Sequence, residues 1–340
     1  MRKKQVSLFI CITVKKLKSI LGFVVPLLLS VALLYYIYSG ENWDEQIAYI
    51  KNANFFWLFL PVLVALLSNL FRALRWKMLI KASGLDVSLI NSFLAVLVGY
   101  FANFLLPRAG EVARCGVLKK YTGLSFTTVL GTVVTERIFD VIMTAIIMML
   151  AFVLEFGMLS SLVEDANLPS KILSILMNPF VIVIILILAV VFVFCFKLRN
   201  KSKLYAKGRE SLRKFKVGMM SAKDVDNKFM FGLYTVLIFA CYYLMLHFSF
   251  WAFDFTKDIT FSQGLVIYVM GALGIIAPVQ GGVGAWHFMT IQALVFYLGS
   301  IIEPEAKAFA LVVHSVQTIA VYIGCGLLAY LLLPMVNKRK

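Results

Sequence analysis

Eight stretches of this chain, at 19–38, 55–71, 88–107, 126–154, 175–196, 229–252, 261–300 and 306–333, are long, apolar and almost free of charge. About 20 such residues cross the hydrocarbon core of a bilayer. The sequence is 61% hydrophobic, against roughly 45–50% in a soluble domain. These runs predict an all-α polytopic membrane protein with one transmembrane domain over 1–340. Gly40-Glu41-Asn42-Trp43 is a poor small-residue cleavage site, so the first run reads as an uncleaved span rather than a signal peptide.

The charges between the runs decide how many of them cross. Of 33 Lys and Arg, 28 fall in five clusters, at 1–18, 72–81, 108–120, 197–228 and 338–340. The other connections are acidic: 41–46, Glu155 with Glu164 and Asp165, Asp254 with Asp258, and Glu303 with Glu305. Lys and Arg gather on the cytoplasmic side of membrane proteins, and anionic lipid there attracts them. Eight simple crossings would put 108–120 and the eleven basic residues of 197–228 outside. The pattern resolves if 88–107 enters from the cytoplasm, breaks near 99–107 and returns, and if 261–300 does the same from outside. Six runs then cross, two are re-entrant hairpins, and both termini are cytoplasmic in the cell (inner) membrane. The net charge of +16 is thereby assigned to the membrane surface and not to nucleic acid.

Non-helical backbone at membrane depth persists only when buried in protein or lining a watery cavity. Each break is therefore a candidate site. The second, 271–287, holds Pro278 and five glycines (Gly271, Gly274, Gly281, Gly282, Gly284). Glycine lets backbone approach a ligand, and small residues also let helices pack closely. Breaks in comparable positions of the two halves, one opening inward and one outward, fit an inverted repeat with a site near the midplane. No residue-level identity between the halves supports it. The linker 197–228 is too short for a domain and reads as a solvated loop or a basic amphipathic helix on the membrane surface.

Several charged residues stand where charge is costly. Glu136, Arg137 and Asp140 interrupt the run 126–154. An ionisable group there costs roughly 2.5–3.5 kcal/mol on insertion scales, so it has a partner or a cavity. Arg137 and Asp140 are spaced i,i+3, and Glu136 and Asp140 i,i+4, so each pair shares a helix face. They either line a path or lock two helices together. Arg108, Glu111 and Arg114 fall three apart, on roughly one face of a short helix. Glu111 can pair with either arginine. The spare guanidinium suits a phosphate, near the positive end of a helix beginning after Pro107. Arg72, Arg75 and Trp76 read as interfacial anchors, or as further members of that anion site. His287, beside Trp286, is a weaker candidate. Five scattered cysteines and three histidines without ligand spacing give no metal site. No cofactor or nucleotide motif is present.

The ordered set FRALRWKMLI, NFLLPRAGEVARCGVL, TVVTERIFDVI and PVQGGVGAWH resembles the lysylphosphatidylglycerol synthase transmembrane region family. The resemblance covers about 70–290. It implies a flippase-like, bacterial inner-membrane fold with re-entrant helices. Its signature positions fall on Arg72, Arg75, Trp76, Asn103, Pro107, Arg108, Gly110, Glu111, Arg114, Glu136, Arg137 and Asp140. Family members often follow Gly-Gly-x-Gly with an Arg-Glu pair, whereas Ala285, Trp286 and His287 follow Gly284 here. Bifunctional members carry an aminoacyl-transferase domain, for which this sequence leaves no room, so no lipid aminoacylation is expected.

The expected function is movement of an anionic or modified lipid between leaflets, with a membrane lipid as substrate and no nucleic-acid partner. The substrate-binding candidates are Arg72, Arg75, Asn103, Arg108, Glu111, Arg114, Glu136, Arg137, Asp140, Gly281, Gly282, Gly284 and His287. The alternatives are a membrane transferase acting on a lipid phosphate, with Glu111, Glu136 or Asp140 as base, or a lipid-binding partner of a lipid-modifying enzyme.

Overall fold

The computed structural model describes residues 22–157 and 204–338. The apolar run 175–196 lies outside them, as do the whole first basic cluster, 1–18, and the start of the linker. Every regular element among the described residues is helical. In chain order these are α1 (Gly22–Tyr38), α2 (Trp43–Asn52), α3 (Phe55–Ala82), α4 (Leu89–Leu105), α5 (Gly110–Thr122) and α6 (Phe126–Leu154). After the undescribed stretch come α7 (Leu204–Met220), α8 (Lys228–Phe250), α9 (Phe261–Ile276), α10 (Ala285–Leu298), α11 (Glu303–Gln317) and α12 (Gly326–Asn337). A π-helical segment, Thr318–Cys325, joins the last two.

Four of these helices are long and apolar enough to cross a membrane: α3, α6, α8 and the continuous Ser300–Asn337. A fifth candidate is α1 with α2, bent by 92° at a short break. The chain is an all-α membrane protein. By contrast α4 and α9, within the runs 88–107 and 261–300, are only 17 and 16 residues long.

Both short helices end for the same reason. A proline pushes the residue before it out of the helical region. Leu106, before Pro107, is extended at φ −139°, ψ 124°. Ala277, before Pro278, is extended at φ −55°, ψ 144°. Positive φ follows in each break, at Arg108 (61°) in the first and at Gly281, Gly282 and Gly284 in the second. Both helices also begin on good caps. The Ser88 hydroxyl accepts from Asn91 N, and Thr260 forms a reciprocal capping box with Gln263.

Each broken helix folds back on its successor as an antiparallel hairpin. In lipid, helices associate through close packing rather than apolar burial. In the first hairpin α4 and α5 nearly touch backbone to backbone: a methyl on Gly99 would lie 3.2 Å from the Gly110 carbonyl oxygen. The Asn103 side chain accepts the Gly110 N–H at 2.7 Å and so caps α5 from across the turn. In the second, Gly274 lies against Ala285 and Trp286, and Gly271 against Trp286 and Thr290.

The hairpins enter from opposite ends of the bundle. At one end Lys81 pairs with Asp226, and Asn337 exchanges hydrogen bonds with Asn91. This end also carries Lys119, Lys120 and Lys338. At the other, Lys307 pairs with Glu41, Gln46 donates to the Pro304 carbonyl, and Asn54 N–H donates to Ala252. The tips meet between them. Arg108 donates to the Ile276 carbonyl at 3.2 Å, and Gln280 donates to the Leu105 carbonyl at 3.4 Å. Each side chain thus caps the carbonyl end of the other hairpin's broken helix, groups a helix leaves unpaired.

The described part of the linker is largely the helix α7, but not one lying free on a surface. α7 packs against α6 where Gly131 and Gly218 bring the backbones together; a side chain on either would strike the other helix's main chain. The Thr135 hydroxyl donates to the Met219 carbonyl at 2.7 Å. Arg213, Lys214 and Lys216 remain exposed.

Candidate functional site

Three helices deliver their charged residues to one buried point. α3 brings Arg72 and Arg75, α5 brings Arg114, and α6 brings Glu136, Arg137 and Asp140. Glu136 is at the centre and wholly buried. Its Oε1 meets Arg72 Nη1 in a short contact and lies 3.3 Å from both Arg75 Nη2 and Arg137 Nη2. Its Oε2 is 2.9 Å from Arg114 Nη2, an ion pair without hydrogen-bond angles. Asp140 takes Arg75 at 2.6 Å, Arg137 at 2.9 Å and Arg72 at 3.1 Å. The i,i+3 and i,i+4 spacings on α6 therefore act as expected. Both carboxylates face α3.

The same geometry overturns the reading of Arg72, Arg75 and Trp76 as interfacial anchors. All three are buried. The Trp76 indole donates to the Thr132 hydroxyl at 3.0 Å, and the Arg114 guanidinium lies over its ring at 4.6 Å. Arg75 also donates to the Thr235 hydroxyl at 3.2 Å. The helix end that sequence placed at a surface lies about 10–15 Å further on, at Ala82, for a rise of 1.5 Å per residue.

Arg108, Glu111 and Arg114 do not share a helix face. α5 starts at Gly110, so Arg108 precedes it, exposed and turned to the other hairpin. Glu111 pairs with neither arginine; its partner is Arg137, at 3.9 Å. Arg114 joins the cluster, and Glu111 stands at its edge.

Beside the cluster is an open recess of about 40 Å³, lined by Arg72, Tyr100, Asn103, Glu111, Arg114 and Arg137 among others. The Arg137 side chain is 43% exposed there, whereas those of Arg72 and Arg114 are each 5% exposed. Arg137 Nε and Glu111 Oε2 are buried and lack hydrogen-bond partners. Four guanidinium groups thus face three carboxylates, and the surplus positive charge borders the recess.

Gly281, Gly282, Gly284 and His287 lie apart from this cluster, in the second tip. His287 is buried, and its Nδ1 accepts the Gly284 N–H at 3.2 Å. His314 Nε2 lies 3.1 Å from the Gly281 carbonyl, and the two imidazole rings are 4.7 Å apart. These residues brace the second break. The structure adds two residues that no charge pattern marks. Arg72 donates to the Tyr242 hydroxyl at 2.8 Å, and Tyr242 meets the Tyr100 hydroxyl at 2.9 Å.

Comparison with known proteins places the chain in a family. A UPF0104 membrane protein of Pyrococcus horikoshii is 33% identical over 113 residues, 32% of this chain and 34% of that protein. One from Methanocaldococcus jannaschii is 30% identical over 130 residues, 37% of this chain and 38% of that protein. The chain thus matches only about a third of the length of either. A third, from Methanothermobacter thermautotrophicus, is 24% identical over 317 residues, 88% of this chain and 90% of that protein. No solved structure matches. The sequence profile of the lysylphosphatidylglycerol synthase TM region matches residues 23–325, and the chain belongs to that family.

Proposed function

We propose that the protein carries a phosphate-bearing lipid between the two leaflets of a cell membrane, with the guanidinium cluster receiving the phosphate. The observation that carries this reading is the surplus of positive charge beside a recess, with Arg137 partly exposed. Glu136 lies about 15 Å along α6 from its start at the basic end, at 1.5 Å per residue. That is about half the roughly 30 Å thickness of hydrocarbon. Charge at such depth marks substrate pathways, and a planar guanidinium suits phosphate. The positive-inside rule supports a cytoplasmic basic end, with α4–α5 and α9–α10 as re-entrant hairpins whose tips meet in the bilayer.

The transferase alternative draws no support from Glu136 or Asp140. Glu136 and Asp140 are each engaged by at least three guanidinium groups, which disfavours them as bases.

Translocation in liposomes tests the proposal. Purified protein is reconstituted with fluorescent lipids of several phosphate head groups, and outer-leaflet label is bleached with dithionite. Bleaching should pass the outer-leaflet fraction with the native protein. Arg137→Ala should slow it roughly tenfold or more, from the ~1.5–3 kcal/mol of a charged hydrogen bond. Bleaching no greater than in protein-free vesicles, for every head group, overturns the reading.

A further inference from the structure

A second cavity, of about 30 Å³, lies against the far side of the cluster, toward the acidic end of the bundle. Its walls include Asn69, Tyr100, Tyr242, Gln317, Val321 and Tyr322. Tyr100 also lines the recess that holds Arg137. Tyr100 is thus common to both spaces, its hydroxyl meets that of Tyr242 at 2.9 Å, and Arg72 donates to Tyr242 at 2.8 Å.

Two features set this cavity apart from a packing fault. Asn69 is 2% exposed and lines it, and its amide has no hydrogen-bond partner among the described residues. A buried amide is tolerated when water reaches it, and 30 Å³ is about the share of one water molecule. The cavity's wall includes the π-helical segment, and such segments occur often at functional sites. Tyr322 of that segment stacks on Tyr100, with ring centroids 5.3 Å apart and planes within 11°. A shift of the π-helix would thus carry the partition with it.

We infer that the cavity around Asn69 is a hydrated second chamber on the same path as the arginine recess, that the Tyr100–Tyr242 pair is the partition between them, and that the path selects anions. The inference deepens the lipid-transport reading and rests on it for its purpose. No acidic group lines the cavity; Arg72 stands at its boundary with the recess, so the local field favours negative charge.

Cysteine accessibility tests this without any lipid movement, so its failure is separable from a failure of transport. Val321→Cys and Ala65→Cys, two cavity positions, are made singly in a background without the five native cysteines. Each is exposed, from the basic side of reconstituted vesicles, to anionic and cationic methanethiosulfonates of similar size. With Tyr100 intact both positions should be protected. Tyr100→Ala should expose them, with the anionic reagent faster by roughly tenfold or more, the scale on which charged clefts raise on-rates. Tyr242→Phe keeps the ring but loses one hydroxyl, and should give the same order with a smaller rise; it serves if Tyr100→Ala does not fold. Overturning results are protection of both positions in folded variants, equal rates for the two reagents, or full reaction before the partition is altered. Loss of transport with this labelling intact would leave the chamber standing and remove only its purpose.

Discussion

Glu136 and Arg137 are neighbours in sequence with opposite expected roles. Glu136 is wholly buried and pairs with guanidinium groups on three helices. Removing one partner of a buried ion pair costs about 3–5 kcal/mol, because the other charge stays buried. Glu136→Ala should therefore lower the unfolding midpoint sharply, or abolish recovery of folded protein in detergent. Arg137 is partly exposed and Asp140 retains two other arginines without it. Arg137→Ala should leave the midpoint within a few degrees while transport falls. A thermal melt that ranks these two variants the other way would refute the assignment. Trp76→Phe should cost about 1 kcal/mol, the typical worth of its hydrogen bond to Thr132, and loosen the stack beneath Arg114. The sequence already paired Arg137 with Asp140, since a helix brings i and i+3 together. It gave no signal for Tyr100 and Tyr242, which are 142 positions apart and carry no charge. Nor did it tie Arg72 to Glu136: contact across 64 positions depends on which helices become neighbours.

At the scale of elements, proline was the legible signal, and helix phase was legible on α6 but not at the start of α5. Pro107 and Pro278 end their helices as an apolar run alone would not. The face shared by Arg108, Glu111 and Arg114 assumed that α5 begins right after Pro107. Positive φ at Arg108 delays it to Gly110 and turns Arg108 toward the second tip. A non-glycine residue in that region carries strain of about 1–2 kcal/mol, and such strain concentrates at working sites. Arg108→Gly should relieve it, leave the unfolding midpoint equal or higher, and still impair transport by deleting the bond to Ile276. Equal transport with Arg108→Gly and native protein would show that the bond between tips is dispensable. The docking of α7 gives another test. Gly131→Leu puts a side chain into the main chain of α7. Trypsin should then cut faster after Arg213, Lys214 and Lys216, while the α3–α6 cluster keeps its stability.

Across the whole molecule, charge distribution carried more information than hydropathy. Apolar length alone made 88–107 a span like any other. Only the sign of the flanking charges required it to turn back, and the structure gives it a partner, α5, that returns to the same end. The tip-to-tip contact between hairpins was not legible, because Arg108 and Gln280 bond to backbone carbonyls that carry no sequence identity. Side-specific labelling tests this architecture most directly. Single cysteines at Lys81, Lys119, Lys257 and Gly299, in a protein without its native cysteines, are exposed to a membrane-impermeant maleimide in sealed vesicles of one orientation. Lys81→Cys and Lys119→Cys should label from one side, and Lys257→Cys and Gly299→Cys from the other. Labelling of positions 81 and 119 from opposite sides would make α4 or α5 a crossing helix and contradict the account.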